Sequence, residues 1–141
     1  MALTQLIYTS MLVGPEQSQL EAIHASALRH NKGNSITGML LFHKGYFLQV
    51  LEGEPGDVMT TYQRICHDTR HRDVRLLVEQ PTKDRHFPTW LMGFRHLKDA
   101  DSIEFPEYAP YFKEGFGGVE IYAKPGIALR MLQAFNRNAV P

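Results

Sequence analysis

One stretch, Asn31 to Gly53 (N-K-G-N-S-I-T-G-M-L-L-F-H-K-G-Y-F-L-Q-V-L-E-G), limits the folds open to this chain more than any other. It reads as two strands, Ile36 to Phe42 and Tyr46 to Leu51, rich in apolar and aromatic residues and joined through His43-Lys44-Gly45. Gly45 can supply the positive φ of a tight hairpin turn. The period of two along the second strand puts Tyr46, Leu48 and Val50 on one face and Phe47, Gln49 and Leu51 on the other. Gln49 is therefore a primary amide in an apolar row, where leaving it unpartnered costs roughly 1–3 kcal/mol. It is an ordinary satisfied core polar group, an edge-strand residue facing water, or a ligand contact.

The chain suits one globular domain with a real core, since its 141 residues are 43% hydrophobic and 21% charged. Fifteen basic residues balance fifteen acidic ones. That neutrality offers no electrostatic footprint for nucleic acid or an anionic membrane. No apolar run approaches the length of a spanning helix, and M-A-L-T-Q-L-I-Y lacks the pattern of a signal peptide, so a cytoplasmic location is expected. The single cysteine, Cys66, excludes an intrachain disulfide and a multi-cysteine metal site.

Around the hairpin the other elements fall into place. Leu3 to Ser10 alternates as a first strand, with Leu6, Tyr8 and Ser10 on one face. Pro15 fits the first position of a helix whose stripe of Leu20, Ile23 and Ala27 arrives, one turn on, at Asn31; Gly33 is placed to end it. Glu54-Pro55-Gly56-Asp57 opens a second helix with its stripe on Val58, Tyr62 and Ile65, which extrapolates to Asp68 and Thr69. A strand from Val74 to Val78 follows, its Leu76, Leu77 and Val78 suggesting burial on both faces. After a turn-rich link comes a short strand W-L-M-G-F, with Trp90, Met92 and Phe94 on one face. The order β-α-β-β-α-β plus an extra strand is that of a ferredoxin-like α+β domain, with both helices on one sheet face. The groove between them would be bounded by Ile23, Asn31, Ile65 and Asp68, with Tyr8, Gln49 and Met92 rising from the sheet below.

From Lys98 onward, aromatics interleave with Pro and Gly, which argues short helical turns, and Ile127, Met131, Leu132 and Phe135 mark one amphipathic helix. Its expected task is to cover the other sheet face, although aromatics also serve oligomer or partner contacts. The expected division is 1–97 for the site-bearing domain and 98–141 for a helical extension packed on its sheet within the same globular unit. Spacing alone offers little chemistry. His67 and His71 lack a third metal ligand, Cys66 has no suitably placed base, and Glu52 and Glu54 have no evident acid/base partner.

Tyr8 with Ser10, Asn31, I-T-G-M-L-L-F, F-L-Q-V-L-E-G, I-C-H-D-T-R-H and W-L-M-G-F, in that order and at these spacings, resemble the BLUF family of blue-light sensors that use flavin, from Leu3 to about Arg95. The resemblance implies a non-covalent FAD whose ring lies between the two helices, flanked by Ile23 and Ile65. Asn31 would bond the pyrimidine edge, Arg70 would help at a ring carbonyl and Asp68 would meet the ribityl side, with Arg64 and Lys32 as further candidates. Tyr8 would lose an electron and a proton to the excited ring, and the Gln49 amide would end rearranged, donating a new hydrogen bond to the flavin C4 carbonyl. An amide suits this because turning it rewires its neighbours with no net charge. Trp90 and Met92 would report the switch to the last strand. Without the family match, both are plain core packing.

The resulting expectation is a blue-light photoreceptor, not an enzyme, in a short stand-alone form that acts on a downstream signalling protein or as a homo-oligomer, with neither nucleic acid nor membrane as partner. The alternative is a ferredoxin-like ligand-binding or oligomerising module without photochemistry. A ferredoxin-like acyl-phosphate hydrolase would want a phosphate-cradling loop that does not stand out. FAD and FMN are not distinguished by the residues.

Overall fold

A computed structural model describes residues 2–88, 92–114, 116, 121 and 124–136. The expected reporter Trp90 lies outside the described residues. A five-stranded mixed sheet is built from β1 (Leu3–Leu12), β2 (Thr37–His43), β3 (Tyr46–Gly53), β4 (His71–Thr82) and β5 (Gly93–His96), in the order β4-β1-β3-β2-β5. The first four pair antiparallel and β5 runs parallel to β2. Helices α1 (Glu16–Asn34) and α2 (Pro55–Cys66) serve one face of the sheet. The other face is covered by α3 (Asp101–Glu104), a 3-10 turn (Pro106–Tyr108), α4 (Ala109–Glu114) and α5 (Gly126–Asn136). This is the ferredoxin-like α+β arrangement expected from the element order.

The hairpin forms as its sequence demands. Lys44 and Gly45 both take positive φ (50° and 85°), which matches the right-handed twist of the flanking strands in a two-residue turn. Alternation along β3 then sends Leu48 and Val50 into the core with Met131, Leu132 and Phe135, and Phe47 and Leu51 into the core with Ile23, Val58 and Ile65. Four boundaries differ from the sequence reading. Pro15 sits one residue ahead of α1, in extended backbone. That helix passes through Gly33 and ends at Ser35, which takes the left-handed conformation (φ 54°) with its N–H on the Asn31 carbonyl. β5 begins at Gly93, so Met92 precedes it. β4 is longer than Val74 to Val78 and is not buried on both faces: it is an edge strand paired only with β1, and Leu76 is 44% exposed. Among the described residues no helix is long and apolar enough to cross a membrane.

Candidate functional site

Tyr8 and Gln49 face each other across the β1–β3 ladder, and Gln49 in turn faces Leu40 on β2. Cross-strand partners lie side by side on one face, so the register itself delivers the phenol to the amide. The Tyr8 hydroxyl donates to Gln49 Oε1, and Gln49 Nε2 donates to Met92 Sδ at 3.1 Å. All three side chains are buried. The amide of Gln49 is thus polarised between a donor on one side and a soft acceptor on the other. Room for Met92 depends on Gly38 of β2, where an added Cβ would stand 2.0 Å from the Val50 carbonyl and 3.1 Å from the Met92 methyl. No side chain fits there.

Above this row, α1 and α2 frame a cleft of about 360 Å³, part of it open to solvent. Ile23, Ala27 and Asn31 line it from α1, Thr61, Arg64 and Ile65 from α2, and Gln49 and Leu51 from the sheet. Asp68, Arg70 and His71 close its end. Ile23, Asn31, Gln49, Ile65, Asp68 and Arg70 therefore line one cleft. Tyr8 and Met92 hold the Gln49 amide by its two ends and are not among the residues that line the cleft.

Three details were not legible in the sequence. Asp68 and Arg70 form a bidentate pair (Nη2–Oδ2 2.7 Å, Nε–Oδ1 3.0 Å), and Asp68 also caps the Arg70 N–H at 2.9 Å. Burial pushes the Asp68 carboxyl up, but the Arg70 hydrogen bonds and charge outweigh it and hold the group below the usual carboxylate range. His71 is buried with Nδ1 2.8 Å from Ser10 Oγ, and burial lowers its pKa to about 4. An i, i+4 pairing of His67 with His71 does not arise, because α2 ends at Cys66 and His71 opens β4, while His67 Nδ1 lies 2.8 Å from the Gln63 carbonyl. Thr61 hides behind the α2 stripe read as Val58, Tyr62 and Ile65; its hydroxyl is buried and finds no hydrogen-bond partner among the described residues.

Glu52, which seemed to lack a partner, is fully buried on the opposite face of β3. Its carboxylate accepts the main-chain N–H groups of His86 (2.8 Å) and Phe87 (2.7 Å) and the Gln5 amide (2.9 Å), and sits 3.1 Å from the His86 ring. Arg85 adds bonds to the Ser35 and Glu52 carbonyls and to Thr37. These contacts clasp the β4–β5 link to the sheet. Their geometry is that of a structural latch rather than a reaction centre.

The donor set of the cleft suits a planar heterocycle with polar edges. Ile23 and Ala27 line it from one helix and Ile65 from the other, the Asn31 and Gln49 amides line it as well, and the buried Thr61 hydroxyl has no hydrogen-bond partner among the described residues. The sequence matches the family model described as sensors of blue light using FAD over residues 3–93. It is 34% identical over 146 residues to the photoactivated adenylate cyclase subunit beta of Euglena gracilis, covering 99% of this chain and 17% of that protein. Over 73 residues it is 38% identical to the blue light- and temperature-regulated antirepressor BluF of Escherichia coli K12, covering 51% of this chain and 18% of that protein. The solved BlrP1 BLUF structure superposes with a TM-score of 0.66 at 30% identity, covering 96% of this chain and 90% of that one. With the motif match spanning the sheet and both cleft helices, this chain belongs to the BLUF family, the sensors of blue light using FAD.

Proposed function

We propose that this domain binds FAD non-covalently in the cleft between α1 and α2 and signals blue light by switching the hydrogen bonds of Gln49. The domain is a sensor rather than an enzyme. The observation that carries the reading is the buried row Tyr8–Gln49–Met92, whose middle member, Gln49, lines the cleft. When bound, the flavin supplies the colour and, once excited, the oxidising power. Tyr8, in direct contact with the amide, would pass an electron and its phenolic proton to the excited ring and take both back as the ring returns to its starting redox state, so that no net oxidation or charge remains. Gln49, which now donates to Met92 and accepts from Tyr8, ends with its donor turned toward the ring. Ile23 and Ile65 flank the ring, Asn31 meets its pyrimidine edge, and Asp68 and Arg70 hold the cleft's end.

The chain spans about 17% of the length of the cyclase relatives it matches, so what it acts on is a separate matter. Those relatives are named as a cyclase and an antirepressor, which supports a reading in which the domain works through an effector, attached or separate. The test is an absorption spectrum of the purified protein before and after blue illumination. A reversible red shift in the wild type, lost in Tyr8→Phe and Gln49→Leu while both retain flavin, is the expected result. A Tyr8→Phe protein that shifts normally removes Tyr8 from the mechanism. Mass spectrometry of the released flavin decides FAD against FMN.

A further inference from the structure

His24 follows Ile23 on α1 and reaches across to the segment that enters β5. Its Nε2 lies 2.8 Å from the Met92 carbonyl, and because a carbonyl only accepts, this nitrogen carries the proton. The same ring stacks on Phe94, with centroids 5.3 Å apart and planes at 29°. His24 therefore grips the chain on both sides of Gly93, where the β2–β5 ladder begins. Met92 lies before that ladder, so the sheet does not fix its main chain. Yet its sulfur is the acceptor for Gln49 Nε2.

We propose that His24 is a positioning residue for the Gln49 switch: by holding the Met92 carbonyl to α1, it keeps the Met92 thioether against the amide and so favours the arrangement described here over the switched one. This rests on the photoreceptor reading above. A thioether is a weak acceptor, so small movements of Met92 decide whether Gln49 Nε2 bonds to it or turns elsewhere. The bond also couples the Tyr8–Gln49–Met92 row to α1, whose outer face is exposed.

Two variants separate the hydrogen bond from the stacking. His24→Phe keeps a ring over Phe94 without a donor, and His24→Gln restores a donor. His24→Phe is expected to bind flavin and show the full red shift but to recover in the dark more slowly, by up to about fivefold, the limit reached when the whole worth of one neutral hydrogen bond is already made at the transition state for recovery. In the dark its Met92 methyl resonance, followed by ¹³C NMR, should move from the wild-type position. His24→Gln should return both readouts to within about twofold of wild type. A His24→Phe protein with wild-type recovery and an unmoved Met92 methyl overturns the proposal, as does a His24→Gln protein that behaves like His24→Phe. If the wild type shows no red shift, the photoreceptor reading fails on its own. The methyl resonance still decides whether His24 positions Met92: displaced in His24→Phe supports it, unmoved overturns it.

Discussion

Burial sets the state of the side chains in and beside the cleft. Desolvation, helped by the negative charge that Cys66, Tyr62 and Asp68 can carry, pushes the Tyr8 phenol well above its ordinary pKa. The phenol thus keeps its proton at neutral pH, as the proposed role of Tyr8 as a donor of electron and proton requires. His71 shows the same force with the opposite sign. Unfolded, its imidazole protonates near 6.5; folded, only near 4. Between those values the unfolded chain binds the extra proton, so His71 costs the fold stability as pH drops through that window, on the order of 3 kcal/mol in all. Asp68, held below its ordinary value, adds its loss only at lower pH. Urea denaturation at pH 7 and pH 4.5 should show the wild type losing about 2 kcal/mol more than His71→Gln, which keeps a polar partner for Ser10 without titrating. Equal losses would mean that His71 charges freely in the fold. Asn31→Ala should weaken flavin binding, measured by fluorescence titration, by about tenfold for one lost hydrogen-bonding group at a buried ring edge. Unchanged binding would remove Asn31 from the ring.

At the scale of elements, β3 serves two purposes with its two faces. Gln49 points to the cleft and Glu52 to the link between β4 and β5. Removing the Glu52 carboxylate strands the buried Phe87 N–H, the part-buried His86 N–H and the Gln5 amide. Glu52→Ala should therefore lower unfolding free energy by about 3 kcal/mol, and Glu52→Gln by about 1 kcal/mol, measured by chemical denaturation. An alanine variant as stable as wild type would show that the latch contributes nothing. The alternation in β3 was readable because period and turn chemistry agree there. The exposure of β4 was not. Its apolar run Leu76-Leu77-Val78 has the texture of a strand buried on both faces, and only the strand order places it at an edge. Ser35 as the end of α1 was equally hidden, since Gly33 carries the stronger local signal and the contact of Arg85 with the Ser35 carbonyl comes from fifty residues away.

Across the whole molecule, one sheet separates two cores. The inner one lies under α1 and α2 and is interrupted by the polar groups of the cleft; the outer one is apolar and centred on Phe135. The Phe135 ring packs against Phe105 (centroids 4.9 Å apart) and Phe112 (5.9 Å), with the Arg95 guanidinium 5.0 Å over it. Phe135→Ala should cost about 3–5 kcal/mol and lower Tm, while flavin binding and the red shift persist below the new Tm. Loss of the spectral change in a protein still folded would instead show that the outer core controls the switch. The sequence by itself determined the element types, the ferredoxin-like order and the apolar row that holds Gln49, because these follow from local period and turn chemistry. It also carried the family motif, and with it Tyr8, Asn31, Asp68 and Arg70. Only the tertiary structure decided that the Gln49 amide is shared between Tyr8 and Met92, that Asp68 pairs with Arg70, that Glu52 meets His86 and Phe87, that His71 meets Ser10, that Thr61 lines the cleft and that His24 reaches the Met92 carbonyl. Each of those depends on strand register or on a helix laid across the sheet, and a hydrogen bond's direction is set by where both partners end up in space.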